Sequence, residues 1–181
     1  MSDTALIVID VQESFRHRPY WNESDVSEFV LNLQVLIDGA KEKKIPIVQI
    51  FHVEDDGPFA LSTGYVTTLR TLSIQPDVIF HKRYHSALVG TPLSAWLIEH
   101  GIRKLIITGI RTEQCCETTT RHASDSGFQV DYVTEATLTF AMKHPKTGKM
   151  VFPEEIKDRT ELVLADRFAR VVSVQTVLAG L

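Results

Sequence analysis

The feature that most constrains this chain is an alternation: short runs rich in β-branched residues recur along it, with helical patterns between them. The runs are Ala5 to Ile9, Ile45 to Phe51, Val78 to Phe80, Leu105 to Ile107, Val130 to Val133 and Val171 to Val174. Their near-continuous apolar character reads as strands buried on both faces. Between the first two runs, Val26, Phe29, Val30, Leu33, Leu36, Ile37 and Ala40 recur at threes and fours. That spacing predicts an amphipathic helix, capped by Asn22 or Ser24, with the Lys41 to Lys44 stretch placing cations at the negative end of its dipole. Thr91-Pro92 offers a cap followed by proline at the first helical position, opening a helix through Leu93, Trp96 and Leu97 that Gly101 ends. A late helix is expected over Pro153 to Phe168. Strand and helix repeated in this way predict an α/β fold in which a six-stranded, mostly parallel sheet carries helices on both faces, a Rossmann-like three-layer arrangement with right-handed crossovers.

Length and composition limit what such a sheet can serve. At 181 residues the chain suits one domain, taken as residues 1–181, and 44% apolar with 23% charged residues is enough to build a core without disulfides or metal. A net charge of -4 gives no basic field for nucleic acid, so the expected partner is a small neutral or anionic metabolite. The first apolar run has no basic residues ahead of it and ends at Asp10, too soon for a leader peptide or a membrane span, so a cytoplasmic location is expected. Cys115 and Cys116 are the only cysteines; adjacency rules out an ordinary disulfide framework, fits a reducing compartment and leaves a thiol free for chemistry.

Ligands of an open α/β sheet bind outside the carboxyl ends of the strands, near the point where strand order reverses. Asp10-Val11-Gln12 follows the first run, His81-Lys82-Arg83 the third, and Thr108 to Cys115 the fourth, so a carboxylate, an ammonium and a thiol fall where a site belongs. Thr112 is positioned to cap a helix with Cys115 in its first turn, where the dipole lowers a thiol pKa. Glu113 and Glu117 oppose that shift, and a cation such as Lys82 is then needed to keep the thiolate populated. Each residue alone has an ordinary reading: Cys115 as a small buried hydrophobe, Asp10 as a turn cap, Lys82 as a solvated loop residue. Their joint placement favours chemistry. The irregular stretches Glu54 to Gly64 and Thr139 to Val151 are candidate active-site loops. The basic segment Lys143 to Lys149 lacks P-loop spacing and reads as a solvated loop or subunit contact.

These segments resemble the isochorismatase-like cysteine hydrolases, a family that includes nicotinamidases and N-carbamoylsarcosine amidase. Leu6 to Gln12 is similar to the family's first strand ending in its catalytic aspartate. Lys82, with Ser86-Ala87-Leu88 and Gly90-Thr91-Pro92-Leu93, is similar to the lysine segment, and Gly109 to Cys115 with Thr119 to the nucleophile segment. The resemblance implies a hydrolase of a small amide, carbamoyl or related C–N bond, with Asp10, Lys82 and Cys115 catalytic and no cofactor. It further implies a cis peptide before Arg111, the backbone N–H groups of Arg111 and Cys115 as an oxyanion hole, Cys116 as packing, and a homo-oligomer, dimer or tetramer, with the apolar tail Val174 to Leu181 at an interface. Phe15, Tyr20, Trp21, His52, Phe59, Tyr84 and His85 fall on loops expected to rim the pocket. Nicotinamidases carry a metal-holding D-x-H cluster after the second strand; here the stretch is Phe51-His52-Val53-Glu54, and no metal is expected. Arg111 replaces a small residue, and either grips a substrate carboxylate or pairs with Glu113 or Glu117. Rival readings are an isochorismatase-type vinyl ether hydrolase, a thiol-redox protein and a non-catalytic binding protein on the same fold.

Overall fold

A computed structural model describes residues 2–181. Its strands are β1 (Thr4–Ile9), β2 (Ile47–His52), β3 (Val78–Lys82), β4 (Lys104–Ile110), β5 (Gln129–Leu138), β6 (Met142–Lys143), β7 (Met150–Val151) and β8 (Arg170–Val171). The helices are α1 (Val26–Glu42), α2 (Leu93–Glu99), α3 (Glu117–Asp125), α4 (Pro153–Leu164) and α5 (Val174–Gly180). Six strands form one sheet in the order β3-β2-β1-β4-β5-β8, every neighbouring pair parallel. The predicted sheet is present, while β6 and β7 make a separate antiparallel hairpin.

Because side chains alternate across a strand, β1 feeds two cores at once. Leu6 and Val8 join Phe29, Leu33 and Leu36 of α1 and Val177 of α5 on one face. Ala5, Ile7 and Ile9 join Leu93 and Leu97 of α2, Ala123 of α3 and Leu164 of α4 on the other. Each such aliphatic side chain, fully buried, contributes about 1.5–3 kcal/mol, so two covered faces hold the sheet flat against both helix layers.

Several boundaries differ from the sequence reading for local reasons. Asn22 caps a short 3-10 turn, Glu23–Asp25, that leads into α1, its side chain accepting from Ser24 N at 3.1 Å. Pro46 has no N–H to give the ladder, so β2 begins at Ile47, whose N–H donates to Asp77 Oδ2. The final run was expected as a strand over Val171 to Val174, but Ser173 accepts from Thr176 N and opens α5 at Val174, leaving a two-residue strand. Within the chain, Leu178 of α5 lies against Gly39 of α1, where an added Cβ would meet it at 2.4 Å. α4 stops at Leu164 rather than Phe168, because Ala165 leaves the helical conformation with φ -56° and ψ 134°. Thr91 does accept from Leu93 N, and Gly101 ends α2 with φ +68°. Among the described residues no helix is long and apolar enough to cross a membrane.

Candidate active site

Strand order turns about between β1 and β4: successive strands run outward from β1 on one side and from β4 on the other. Asp10 leaves the end of β1 and Cys115 follows β4, so the carboxylate and the thiol straddle the crevice where ligands collect in such sheets. Two backbone features let these neighbours meet. Asp10 adopts φ +53°, a left-handed conformation that aspartate tolerates better than most residues and that turns its side chain out of the strand register. Gly109 has φ +124°, and a Cβ there would fall 2.0 Å from the Ile9 carbonyl oxygen, so only glycine permits this approach of β4 to β1.

Lys82 is the last residue of β3 and reaches across the end of β2. Its Nζ lies 2.7 Å from Asp10 Oδ2, 3.3 Å from Cys115 Sγ and 3.2 Å from His52 Nδ1. Asp10 and Lys82 expose no surface, while Cys115 keeps 7% of its own. Of these three residues, Cys115 is the one that retains exposure. Lys82, which taken alone would read as a solvated loop residue, is one of the largest fully buried side chains, because its charge has two partners there.

The turn that carries the thiol differs from the sequence expectation. Thr112 does not cap a helix above it: the Thr112 hydroxyl is 2.8 Å from Thr137 Oγ1, and Thr112 to Cys116 wind as a π-helical turn. The Arg111 carbonyl accepts from Gln114 N and Cys116 N, passing over the intervening Cys115 N–H. Such wide turns recur at functional sites. Burial, then the Asp10 carboxylate, push the Cys115 thiol up to about 12, against the opposing pull of Lys82. Burial and the Asp10 charge, rather than Glu113 or Glu117, thus favour the protonated sulfur. Glu113 pairs with Arg111 and accepts from Thr139, while Glu117 is engaged by Arg121, Arg159 and Thr160.

Burial raises the pKa of Asp10 above the ordinary carboxylate value, though Lys82 pulls the other way. Burial likewise disfavours the Lys82 ammonium, but Asp10 and Cys115 outweigh it and hold its pKa above that of a free lysine. His52 is pushed down to about 4, first by burial and then by the Lys82 charge, so its imidazole is neutral at pH 7. With an ammonium facing Nδ1, that nitrogen must be the acceptor and Nε2 carries the proton, 3.7 Å from Glu54 Oε1.

The remaining expected rim residues divide. His85, exposed, brings Nδ1 to 3.7 Å from Cys115 Sγ. Phe15 and Phe59 are buried and meet edge to face at 4.9 Å, and Phe59 also lies against His52, so both support the cluster from the core. Tyr20 and Trp21 pack on Phe140, with the Arg111 guanidinium over the Tyr20 ring at 5.0 Å. Arg111 turns to Glu113 at 3.1 Å, the ion-pair alternative. Tyr84 is largely in solvent. Cys116 is fully buried and both cysteines are free. The Ile110-Arg111 peptide is cis.

Gln12 was read only as part of a strand-end motif, yet it organises the site. Its side chain accepts from His52 N at 2.8 Å and donates to the His52 carbonyl at 3.0 Å, a two-point clamp that fixes His52 beside Lys82. The stretch 65–77, not singled out in the sequence, lays Tyr65 and Thr67 carbonyls on Ser14 N and Glu13 N and covers the turn after β1.

An isochorismatase domain model matches residues 4–174, spanning all six strands of the main sheet. The chain belongs to the isochorismatase family. It is similar to the uncharacterised isochorismatase family protein YrdC of Bacillus subtilis, with 29% identity over 143 residues, covering 77% of this chain and 75% of that one. Nicotinamidase 3 of Arabidopsis thaliana shares 36% identity over 97 residues, covering 54% of this chain and 43% of its own length. A crystal structure of a provisionally assigned isochorismatase from Burkholderia xenovorans LB400 superposes with a TM-score of 0.89 at 30% identity, covering 98% of this chain and 86% of that chain. This isochorismatase-family hydrolase thus carries an acid, a lysine and a thiol in mutual contact at the switch point of its sheet.

Proposed function

We propose that the protein hydrolyses a small amide, carbamoyl or related C–N bond through a thioester on Cys115. The carrying observation is the single Lys82 ammonium in contact with both Asp10 and Cys115, of which Cys115 alone retains exposure among the three residues.

In this reading the substrate carbonyl docks at Sγ. Asp10, whose Oδ1 has no hydrogen-bond partner among the described residues, takes the thiol proton as the C–S bond forms. Because burial and Asp10 favour the protonated thiol, its proton must be removed for attack, and the fixed Lys82 charge beside Sγ lowers the cost of the developing thiolate. The N–H groups of Arg111 and Cys115 are assigned to the oxyanion, supported by the Arg111 carbonyl passing over Cys115 N–H in the π turn. Such a donor is worth about 3–4 kcal/mol. Asp10 returns its proton to the leaving nitrogen, the C–N bond breaks and the amine departs; water then cleaves the thioester and restores the thiol. A relative named for nicotinamidase activity is consistent with an amide substrate. Nicotinamide itself is not favoured, since the stretch Phe51-His52-Val53-Glu54 lacks the D-x-H pattern of nicotinamidases, and His52 directs Nδ1 to Lys82.

The test is Cys115→Ala, assayed for ammonia or amine release over primary amides, ureido compounds and maleamate-like acids. The variant is expected to keep its fold and lose turnover by several orders of magnitude, while chelators leave the wild type active; unchanged hydrolysis in the variant refutes the assignment.

A further inference from the structure

Lys82 Nζ carries three N–H bonds, and because the side chain exposes no surface all three must be received within the protein. Three acceptors lie within reach: Asp10 Oδ2 at 2.7 Å, Cys115 Sγ at 3.3 Å and His52 Nδ1 at 3.2 Å. One bond to each fixes the rotation of the ammonium about its Cε–Nζ axis. Two of these acceptors change charge when the thiol proton passes to Asp10, so the ammonium is drawn toward the carboxylate before the transfer and toward the sulfur after it. His52 is the acceptor that stays neutral throughout, since burial and the Lys82 charge both disfavour its imidazolium.

His52 is itself held from several sides. Gln12, fully buried, grips the His52 backbone N–H and carbonyl, and its amide also donates to Ser14 Oγ at 2.9 Å. The His52 ring meets Phe59 edge-on at 5.8 Å, and Arg18, whose guanidinium lies 4.9 Å from the same Phe59 ring, holds Glu54 Oε2 at 3.0 Å. That leaves Glu54 Oε1 3.7 Å from His52 Nε2, favouring the tautomer with its proton there and its lone pair on Nδ1. His52 and Lys82 are register partners across β2 and β3, and Val53 N donates to the Lys82 carbonyl at 2.9 Å, which ties the two backbones together. A residue expected on the pocket rim is thus built into the support of the lysine.

We propose that His52 is a positioning residue for the reaction: its Nδ1 receives the third N–H of Lys82 and keeps the ammonium aimed at the sulfur while charge passes between Cys115 and Asp10. This rests on Cys115 being the nucleophile. Without the acceptor, a charged donor is left buried and unpartnered; the ammonium then turns toward Asp10, and the developing thiolate loses part of its stabilisation. An anionic acceptor in the same place would compete with the sulfur for the cation, so a neutral imidazole suits the task.

The experiment compares His52→Leu, which has no acceptor, with His52→Asn, whose Oδ1 can stand where Nδ1 stood. p-Nitrophenyl acetate serves as the acyl donor, with Cys115-dependent nitrophenolate release followed in the pre-steady state, and alkylation of Cys115 by iodoacetamide reports the thiolate without any turnover. In His52→Leu the limiting acylation rate and the alkylation rate are both expected to fall by about tenfold to a hundredfold, with the half-saturating ester concentration unchanged, while His52→Asn stays within about threefold of the wild type in each. Heteronuclear NMR of the wild-type imidazoles should show His52 as the Nε2–H tautomer, a readout that needs no variant to fold. A raised half-saturating concentration at an unchanged limiting rate makes His52 a substrate contact and overturns the proposal. Equal losses in the two variants, wild-type rates in both, or a protonated Nδ1 in the wild type overturn it as well. If the wild type shows no nitrophenolate release beyond that of Cys115→Ala, the thioester reading fails, while the alkylation rates still decide whether His52 directs Lys82 to the sulfur.

Discussion

Replacing Asp10 by asparagine separates two properties of the thiol that usually move together. The substitution keeps the shape and removes the charge. Contacts through one ammonium, 2.7 Å on one side and 3.3 Å on the other, put the Asp10 carboxylate within about 6 Å of Sγ. At an effective dielectric of about 20, a like charge at that distance raises the energy of a thiolate by roughly 3 kcal/mol, a factor of about a hundred in its population. In Asp10→Asn the repulsion is gone while the Lys82 attraction remains, so the thiolate becomes easier to form. Alkylation of Cys115 by iodoacetamide at pH 8 is therefore expected to rise by about a hundredfold. Hydrolysis is expected to fall by about 10²–10⁴, because the group that moves the proton to the leaving nitrogen is lost. The assay is paired: alkylation by mass spectrometry and amine release, on the same preparation, with circular dichroism confirming the fold. Wild-type alkylation should still be climbing at pH 10, as a thiol of pKa about 12 requires. If alkylation and hydrolysis fall together in Asp10→Asn, or alkylation is unchanged, then Asp10 does not set the charge at the sulfur and the account of the cluster fails.

Two further outcomes follow from particular contacts. The folded pKa of His52, lowered to about 4 by burial and then by Lys82, lies below its ordinary 6.5, so the fold favours neutral imidazole. Its stabilisation is complete above about pH 6.5 and is lost as pH falls toward 4, amounting to about 2 kcal/mol after allowing for solvent screening at its open edge. Urea midpoints at pH 7 and pH 5 should show this loss in the wild type and a smaller one in His52→Leu; an equal slope in both counts against the buried neutral histidine. Gly109→Ala places a Cβ against the Ile9 carbonyl at a φ that L residues avoid, and is expected to cost at least about 3 kcal/mol or to abolish soluble expression. Wild-type thermal stability in that variant would show that the β1-β4 approach is looser than described.

What the sequence disclosed, and what it withheld, follows from how far each determinant reaches along the chain. The six strands were legible because an apolar run is a local signal, and Thr91-Pro92 with Gly101 marks both ends of α2 in the same local way. The end of the last strand was not, since Val171 to Val174 looks continuous until Ser173 turns out to cap α5. At the site, strand ends pointed to Asp10, Lys82 and Cys115, and family resemblance separated Cys115 from Cys116. Thr112 suggested a helix cap beneath the thiol, but its hydroxyl bonds Thr137, a partner twenty-five residues along the chain. Gln12 and His52 were likewise hard to weigh, their partnership spanning forty residues. His85 appeared among several loop aromatics and polar residues; its contact with Cys115 Sγ joins positions thirty residues apart.

Lys82 standing between an acid and a thiol has an implication for what a reaction cycle asks of the fold. A proton passing from sulfur to carboxylate moves one negative charge from one flank of a stationary positive charge to the other. The electrical total of the dry interior is the same before and after. Hydration stripped from the ammonium is therefore a debt settled once, when the chain folds, rather than at every turnover. A catalyst built this way needs no water to enter behind the sulfur as its charges shift.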